Sequence, residues 1–166
     1  MWPGISSKEP AETEMLTDLP GIQRFPAELR SDMRNIPLMQ KKSAPSVLVV
    51  DDEALIRWSL GEMLSERGYA VTEANDARMA LAAIENTREP FDVVLLDYRL
   101  PDSADLRLLE TIRRLAPTSQ VIMITAHNSP ELAQGAAALG AYRVISKPFE
   151  VESLAELVKQ AQTDRV

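Results

Sequence analysis

From Ser46 onward, two kinds of apolar pattern alternate along the chain. Val47-Leu48-Val49-Val50, closed by Asp51-Asp52, is a continuous β-branched and apolar run, as expected of a strand buried on both faces of a parallel sheet. Phe91-Asp92-Val93-Val94-Leu95-Leu96-Asp97 and Gln120-Val121-Ile122-Met123-Ile124-Thr125 repeat the design, each ending on a polar residue. Tyr69 to Ala74 and Ala141 to Lys147 alternate more and suit flanking strands. Between these runs the period becomes helical. Leu55, Ile56, Leu60, Met63 and Leu64 mark one face of a helix over about 53–66, stopped by Gly68. Trp58 lies between those positions, where partial burial against a neighbouring helix is expected. Asp76 is a predicted cap for a helix carrying Met79, Leu81, Ala83 and Ile84, and Leu108, Leu109, Ile112 and Leu115 mark another before Pro117. Ser129-Pro130 reads as an N-cap followed by proline at the first helical position, opening an alanine-rich helix that ends near Gly140. Leu154, Leu157, Val158 and Ala161 give the last helix. The order βαβαβαβαβα with short connections predicts an α/β fold, a five-stranded parallel sheet with helices on both faces.

That order selects a site. In an open parallel sheet, working residues lie beyond the carboxyl ends of the strands, near the switch in strand order. Asp51 and Asp52 end the first strand, Asp97 the third, Thr125 the fourth and Lys147 the fifth. Three crowded carboxylates stay ionised only beside a compensating cation, and a hard divalent ion, magnesium in a cell, suits an all-oxygen donor set. A carboxylate beside that ion is a competent nucleophile towards phosphorus, with Lys147 and the Thr125 hydroxyl placed to neutralise further phosphoryl oxygens. The expected product is an aspartyl phosphate. The single histidine, His127, lies two residues after Thr125, and hydrolysis of an external substrate is poorly provided for.

Composition narrows the setting. The chain has 166 residues, a formal charge of −7 and no cysteine. The acidity disfavours direct nucleic-acid binding, and the missing cysteines remove disulfides and thiolate metal sites and fit a cytoplasmic address. No apolar tract is long enough for a membrane span, and Met1-Trp2-Pro3-Gly4-Ile5 does not open a signal peptide. Six of the eleven prolines fall within residues 1–45, where acidic and basic side chains cancel. That stretch is read as a disordered extension in which Ala27 to Ile36 could form a short helix with Leu29, Met33 and Ile36 on one face. The whole net charge therefore belongs to the compact part, placed at residues 46–163.

The motifs Val49-Val50-Asp51-Asp52-Glu53, Leu95-Leu96-Asp97-Tyr98-Arg99-Leu100-Pro101, Thr125-Ala126-His127, Gly140-Ala141-Tyr142 and Lys147-Pro148-Phe149 resemble, in order and separation, the receiver domains of two-component response regulators. Within that family, Asp51 to Arg57 and Thr125-Ala126-His127 look most like receivers of enhancer-binding, nitrogen-regulation-type activators. The resemblance implies a flavodoxin-like, doubly wound (βα)5 fold and a signalling role rather than an enzymatic one. Asp97 is then the acceptor of phosphate from a histidine kinase or phosphotransfer protein. Asp52 binds Mg2+ directly, Asp51 mostly through water, and the backbone carbonyl of Arg99 completes the metal set with Asp97. Thr125 is the switch hydroxyl and Lys147 the phosphoryl-contacting lysine, joined to Pro148 by a bond commonly cis in the family. Arg99 and His127 stand where receivers tune the phosphoryl lifetime. Output through the surface of the fourth helix, fifth strand and fifth helix is implied, and the small residues of that fourth helix, Ala133 and Gly135 among them, suit a homodimer or adaptor contact.

Two positions depart from the pattern. Asp105 replaces the glycine usual eight residues after the acceptor, and a shifted helix cap is the expected adaptation. Val144 replaces the aromatic switch residue, with Tyr142 expected on the same face as a partial substitute. These departures keep open a second reading, a partner-binding pseudo-receiver. An Asp-nucleophile phosphatase is disfavoured because Arg99 stands where its acid is needed, and a flavin binder because Asp51-Asp52-Glu53 would repel the phosphate.

Overall fold

The computed structural model describes residues 44–165, so the extension expected over residues 1–45 lies outside the described residues except for its last two. Five parallel strands form one sheet in the order β2-β1-β3-β4-β5. They are β1 (Ser46–Val50), β2 (Ala70–Ala74), β3 (Val93–Asp97), β4 (Gln120–Thr125) and β5 (Arg143–Ser146). The intervening helices are α1 (Ala54–Glu66), α2 (Ala77–Asn86), α3 (Arg107–Leu115), α4 (Pro130–Ala138) and α5 (Val151–Thr163). Every strand and helix expected from Ser46 onward is present, the short helix suggested over Ala27 to Ile36 lies outside the described residues, and the architecture is the doubly wound, flavodoxin-like one.

The continuous apolar runs are explained by a core on each side of the sheet. Side chains alternate in direction along a strand, so Val47, Val49, Val93, Leu95, Ile122 and Ile124 meet Leu60 and Leu64 of α1 and Leu154 and Val158 of α5. Leu48, Val50, Val94, Leu96, Val121 and Met123 meet Ala80 and Ile84 of α2, Leu109 and Ile112 of α3 and Ala136 of α4. Leu95 is 1 % exposed at the centre of this arrangement. Leu95→Ala is expected to cost about 3 kcal/mol by cavity formation, measurable as a lower denaturation midpoint without change in slope.

Local signals end the helices as the sequence predicts. Asp76 Oδ1 accepts from the Met79 amide at 2.6 Å, and Ser129 Oγ accepts from the Leu132 amide at 3.2 Å. Gly68 and Gly140 both adopt φ of 86°, a left-handed conformation that a side chain would strain.

Two expectations for α1 fail. Leu55, assigned to the core face, is 74 % exposed, and Trp58, expected to be partly covered, is 59 % exposed. Ile56 in the same turn packs against the core with Leu60, Met63 and Leu64, whereas Leu55 and Trp58 stand about 100° and 200° of helix rotation away from it, off that face. The buried part of the helix face begins at Leu60. Met79 and Leu115 are likewise exposed, at 39 % and 38 %. None of the described helices is long and apolar enough to cross a membrane.

Candidate functional site

Strand register builds the site. Val50 pairs with Leu96, so Asp51 and Asp97 emerge side by side from β1 and β3, where the strand order switches. Thr125 pairs with Ser146 at the neighbouring strand ends, and the Lys147 amide donates to the Thr125 carbonyl at 2.8 Å. Asp51, Asp97 and Thr125 are all buried. The Lys147–Pro148 peptide is cis.

The Lys147 ammonium is the hub. Nζ donates to Asp51 Oδ2 at 2.9 Å, to Asp97 Oδ2 at 2.8 Å and to Glu53 Oε1 at 2.9 Å. The other carboxylate oxygens are held by backbone: Asp51 Oδ1 accepts from the Glu53 amide at 2.8 Å and Asp97 Oδ1 from the Arg99 amide at 3.0 Å. Burial alone would lower the Lys147 pKa, but its bonds to Asp97, Glu53 and Asp51 outweigh that and hold it well above its ordinary value. Burial pushes the Asp51 carboxyl up, and the Asp97 charge adds to the push, while Lys147 and the Glu53 amide oppose it.

Oxygens of Asp51, Glu53 and Asp97 lie within 4.8 Å of one another. An oxygen-only set containing two buried acids fits a hard divalent cation, which would take over the charge compensation now supplied by Lys147. Asp52, the expected direct ligand, is exposed and stands outside this cluster, whereas Glu53 is inside it. Glu53 is missed by reasoning from strand ends alone. The signal for it was the third acid in Asp51-Asp52-Glu53, at the position just ahead of α1.

Arg57 is a second unforeseen member. Its Nη1 donates to the Asp51 carbonyl at 2.7 Å and its Nε to Glu73 Oε2 at 3.1 Å, bracing the turn that carries Asp51. Gly61 makes room for the brace, since a Cβ there would lie 2.9 Å from Glu73 Oε1.

The remaining expected residues are placed as follows. The Thr125 hydroxyl bonds to the backbone of His127, whose amide and carbonyl are each 3.2 Å from Oγ1, and makes no hydrogen bond to Lys147 among the described residues. The side chains of Arg99 and His127 are exposed. Asp105 Oδ1 accepts from the Arg107 amide at 2.9 Å, and no described non-glycine residue has positive φ, so the loop before α3 adapts through a carboxylate at the helix entrance. Tyr142 does not share the face of Val144. Val144 packs with the α2, α3 and α4 core, whereas Tyr142 packs with the α1 and α5 core and donates from its hydroxyl to Asp164 Oδ2 at 2.7 Å. Tyr142 precedes β5, so the alternation of the strand does not extend to it. It is no substitute for an aromatic ring at position 144.

Comparison with known proteins agrees with this geometry. The response regulator receiver domain family model matches residues 47–159. The DNA-binding transcriptional regulator NtrC of Proteus hauseri is 38 % identical over 121 residues, 71 % of this chain and 24 % of that protein. The nitrogen assimilation regulatory protein NtrX of Azorhizobium caulinodans is 38 % identical over 120 residues, 71 % of this chain and 26 % of that one. The chain thus spans about a quarter of the length of such relatives. A CheY-like receiver domain protein of Methanospirillum hungatei superposes with a TM-score of 0.70 at 35 % identity, covering 74 % of this chain and 97 % of that structure. Motif order, strand order and family match converge, and the chain belongs to the response regulator receiver domain family.

Proposed function

We propose that this domain accepts a phosphoryl group on Asp97 from a phosphohistidine of a sensor kinase or phosphotransfer protein, in a reaction that needs Mg2+. The observation that carries this reading is the shared Lys147 ammonium, which bonds two buried carboxylates at the switch of the sheet. The ion would be held by Asp51, Asp97 and the Arg99 carbonyl, with Asp52 reaching in from outside the cluster and Glu53 close enough to Asp51 and Asp97 to join them. Bound there, it would neutralise phosphoryl oxygens and so permit an anion to attack an anion.

In the transfer, an Asp97 oxygen forms a bond to phosphorus as the phosphorus–nitrogen bond to the donor imidazole breaks. The imidazole leaves with the electron pair and takes up a proton, and an acyl phosphate remains on Asp97. Lys147 shifts its bond from the Asp97 carboxylate, which loses charge as the new bond forms, to an oxygen of the phosphoryl group. Thr125 exchanges its bonds to His127 for a phosphoryl oxygen. Arg99 and His127, exposed and two residues beyond Asp97 and Thr125, would tune hydrolysis of the acyl phosphate.

The donor enters over the open rim. A groove of about 520 Å³ beside Lys147 is lined by Leu55, Ile56, Leu60, Phe149 and Val151, an apolar surface for a protein donor. Output runs through α4, β5 and α5, with a second copy of the chain as one partner. Part of the small-residue content of α4 has an internal use: Gly135 lies against Leu106, where a Cβ would sit 2.9 Å from Cδ1, and Ala136 is buried. The reaction is assigned to the cytoplasm, without nucleic acid or membrane as direct partners of this domain.

Incubation with acetyl phosphate and Mg2+, read by intact mass, tests the reading. A Mg2+-dependent phosphoryl adduct and tight binding of fluoroberyllate are expected. No adduct under any Mg2+ concentration, with partner binding indifferent to phosphodonor, favours the pseudo-receiver instead.

A further inference from the structure

The four amides opening α2 are all satisfied, but not by the helix's own cap alone. Asp76 accepts from Met79 through its carboxylate at 2.6 Å and from Ala80 through its carbonyl at 3.1 Å. The first two amides are capped by a residue from a different part of the chain. Ala77 donates to Asp102 Oδ1 at 2.8 Å and Arg78 to Asp102 Oδ2 at 3.0 Å. Asp102 belongs to the loop between β3 and α3, and its carboxylate is spread across both donors. Burial alone would raise its pKa, but the Ala77 and Arg78 amides, with its own amide and the Arg78 charge, together outweigh it and hold the carboxyl below its ordinary value.

The same loop begins at the phosphoacceptor. Its course is fixed at three points: the Arg99 amide on Asp97, the paired backbones of Leu100 and Ser103 at 2.7 and 3.2 Å, and the Asp102 carboxylate on α2. Between the first and last of these lies the Arg99 carbonyl, the backbone ligand assigned to Mg2+ above. The Arg99 side chain makes none of the described hydrogen bonds, so the direction of the carbonyl depends on how the loop is tied down on either side.

We infer that Asp102 is a positioning residue for the cation site, anchoring the β3–α3 loop to the start of α2 so that the Arg99 carbonyl points at Asp97. The inference rests on the Mg2+ site proposed above. By thermodynamic linkage, whatever the anchor contributes to Mg2+ binding, Mg2+ must return as a firmer anchor.

Asp76 supplies the control, because it caps the same helix without touching the loop. Asp102→Ala, Asp102→Asn and Asp76→Ala all weaken the cap of α2 and lower thermal stability. Only the Asp102 variants should weaken Mg2+ binding measured calorimetrically, Asp102→Ala by about tenfold and Asp102→Asn by less, as its amide retains one acceptor. In the parent chain, Mg2+ should slow hydrogen exchange at Ala77 and Arg78, and this slowing should vanish in Asp102→Ala. Mg2+ affinity that is unchanged in both Asp102 variants, or reduced equally in Asp76→Ala, overturns the inference while leaving the metal site intact. A parent chain that binds no Mg2+ removes both. If Asp102→Ala does not fold, Asp102→Asn alone decides by the same comparison.

Discussion

Asp97→Asn is expected to abolish the Mg2+-dependent adduct formed with acetyl phosphate, with no residual labelling in the intact mass. Asn has the same size, and its amide nitrogen is not a nucleophile towards phosphorus, so the loss is one of chemistry rather than of shape. The fold should tolerate the change well. Lys147 keeps its bonds to Asp51 and Glu53, and the cluster loses one of three carboxylates gathered around one ammonium. The variant should therefore melt at or above the parent temperature when Mg2+ is absent. Asp51 is the residue that could overturn this, because it bonds Lys147 at 2.9 Å, much as Asp97 does at 2.8 Å. Persistent labelling of Asp97→Asn that disappears in a further Asp51→Asn variant would move the acceptor from β3 to β1.

Much of this site was legible because strand ends are legible. An apolar run closed by a polar residue states both where a buried parallel strand stops and which side chain stands at its rim, and Asp51, Asp97, Thr125 and Lys147 were all found this way. Glu53 and Arg57 were not, since they lie beyond the strand end and on the first turns of α1, where direction depends on how the helix settles over the rim. Leu55 and Trp58 show the same limit from the other side. A helical stripe identifies a face only to within about one residue's rotation, and Leu55 falls outside the face that Ile56, Leu60, Met63 and Leu64 share. Tyr142 failed for a related reason, as alternation was carried one residue past the start of β5. Asp102 gave no local signal, because its partners, Ala77 and Arg78, are 25 and 24 residues away.

Lys147→Met should turn the stability of this domain into a function of Mg2+ and pH. Met fills a similar volume, so the effect is that of removing charge. Without the ammonium, the oxygens of Asp51, Glu53 and Asp97 face one another within 4.8 Å, two of the acids with side chains only 2 % and 7 % exposed. Leaving buried charge unpaired costs about 3 kcal/mol, so the Mg2+-free variant should unfold at a markedly lower denaturant concentration at neutral pH. In the parent, Lys147 holds its proton more tightly folded than unfolded. Its contribution is fully present below its ordinary value of 10.5 and is lost only as pH rises through the higher folded value. The parent should therefore show little loss from this group between neutral pH and pH 10. Asp51 has the opposite sign. Its folded pKa already stands above the ordinary 3.8, so its ionisation weighs against the fold at higher pH, and removing Lys147 raises it further. The deficit of Lys147→Met should thus be greatest at neutral and alkaline pH and shrink on acidification as the folded cluster takes up protons. Saturating Mg2+ should restore the neutral-pH stability by the same route, replacing one cation with another, yet phosphoryl transfer should stay impaired because the ammonium contact to the phosphoryl oxygen is gone. Equal denaturation midpoints for the variant with and without Mg2+, across this pH range, would show that the three carboxylates do not share one cation.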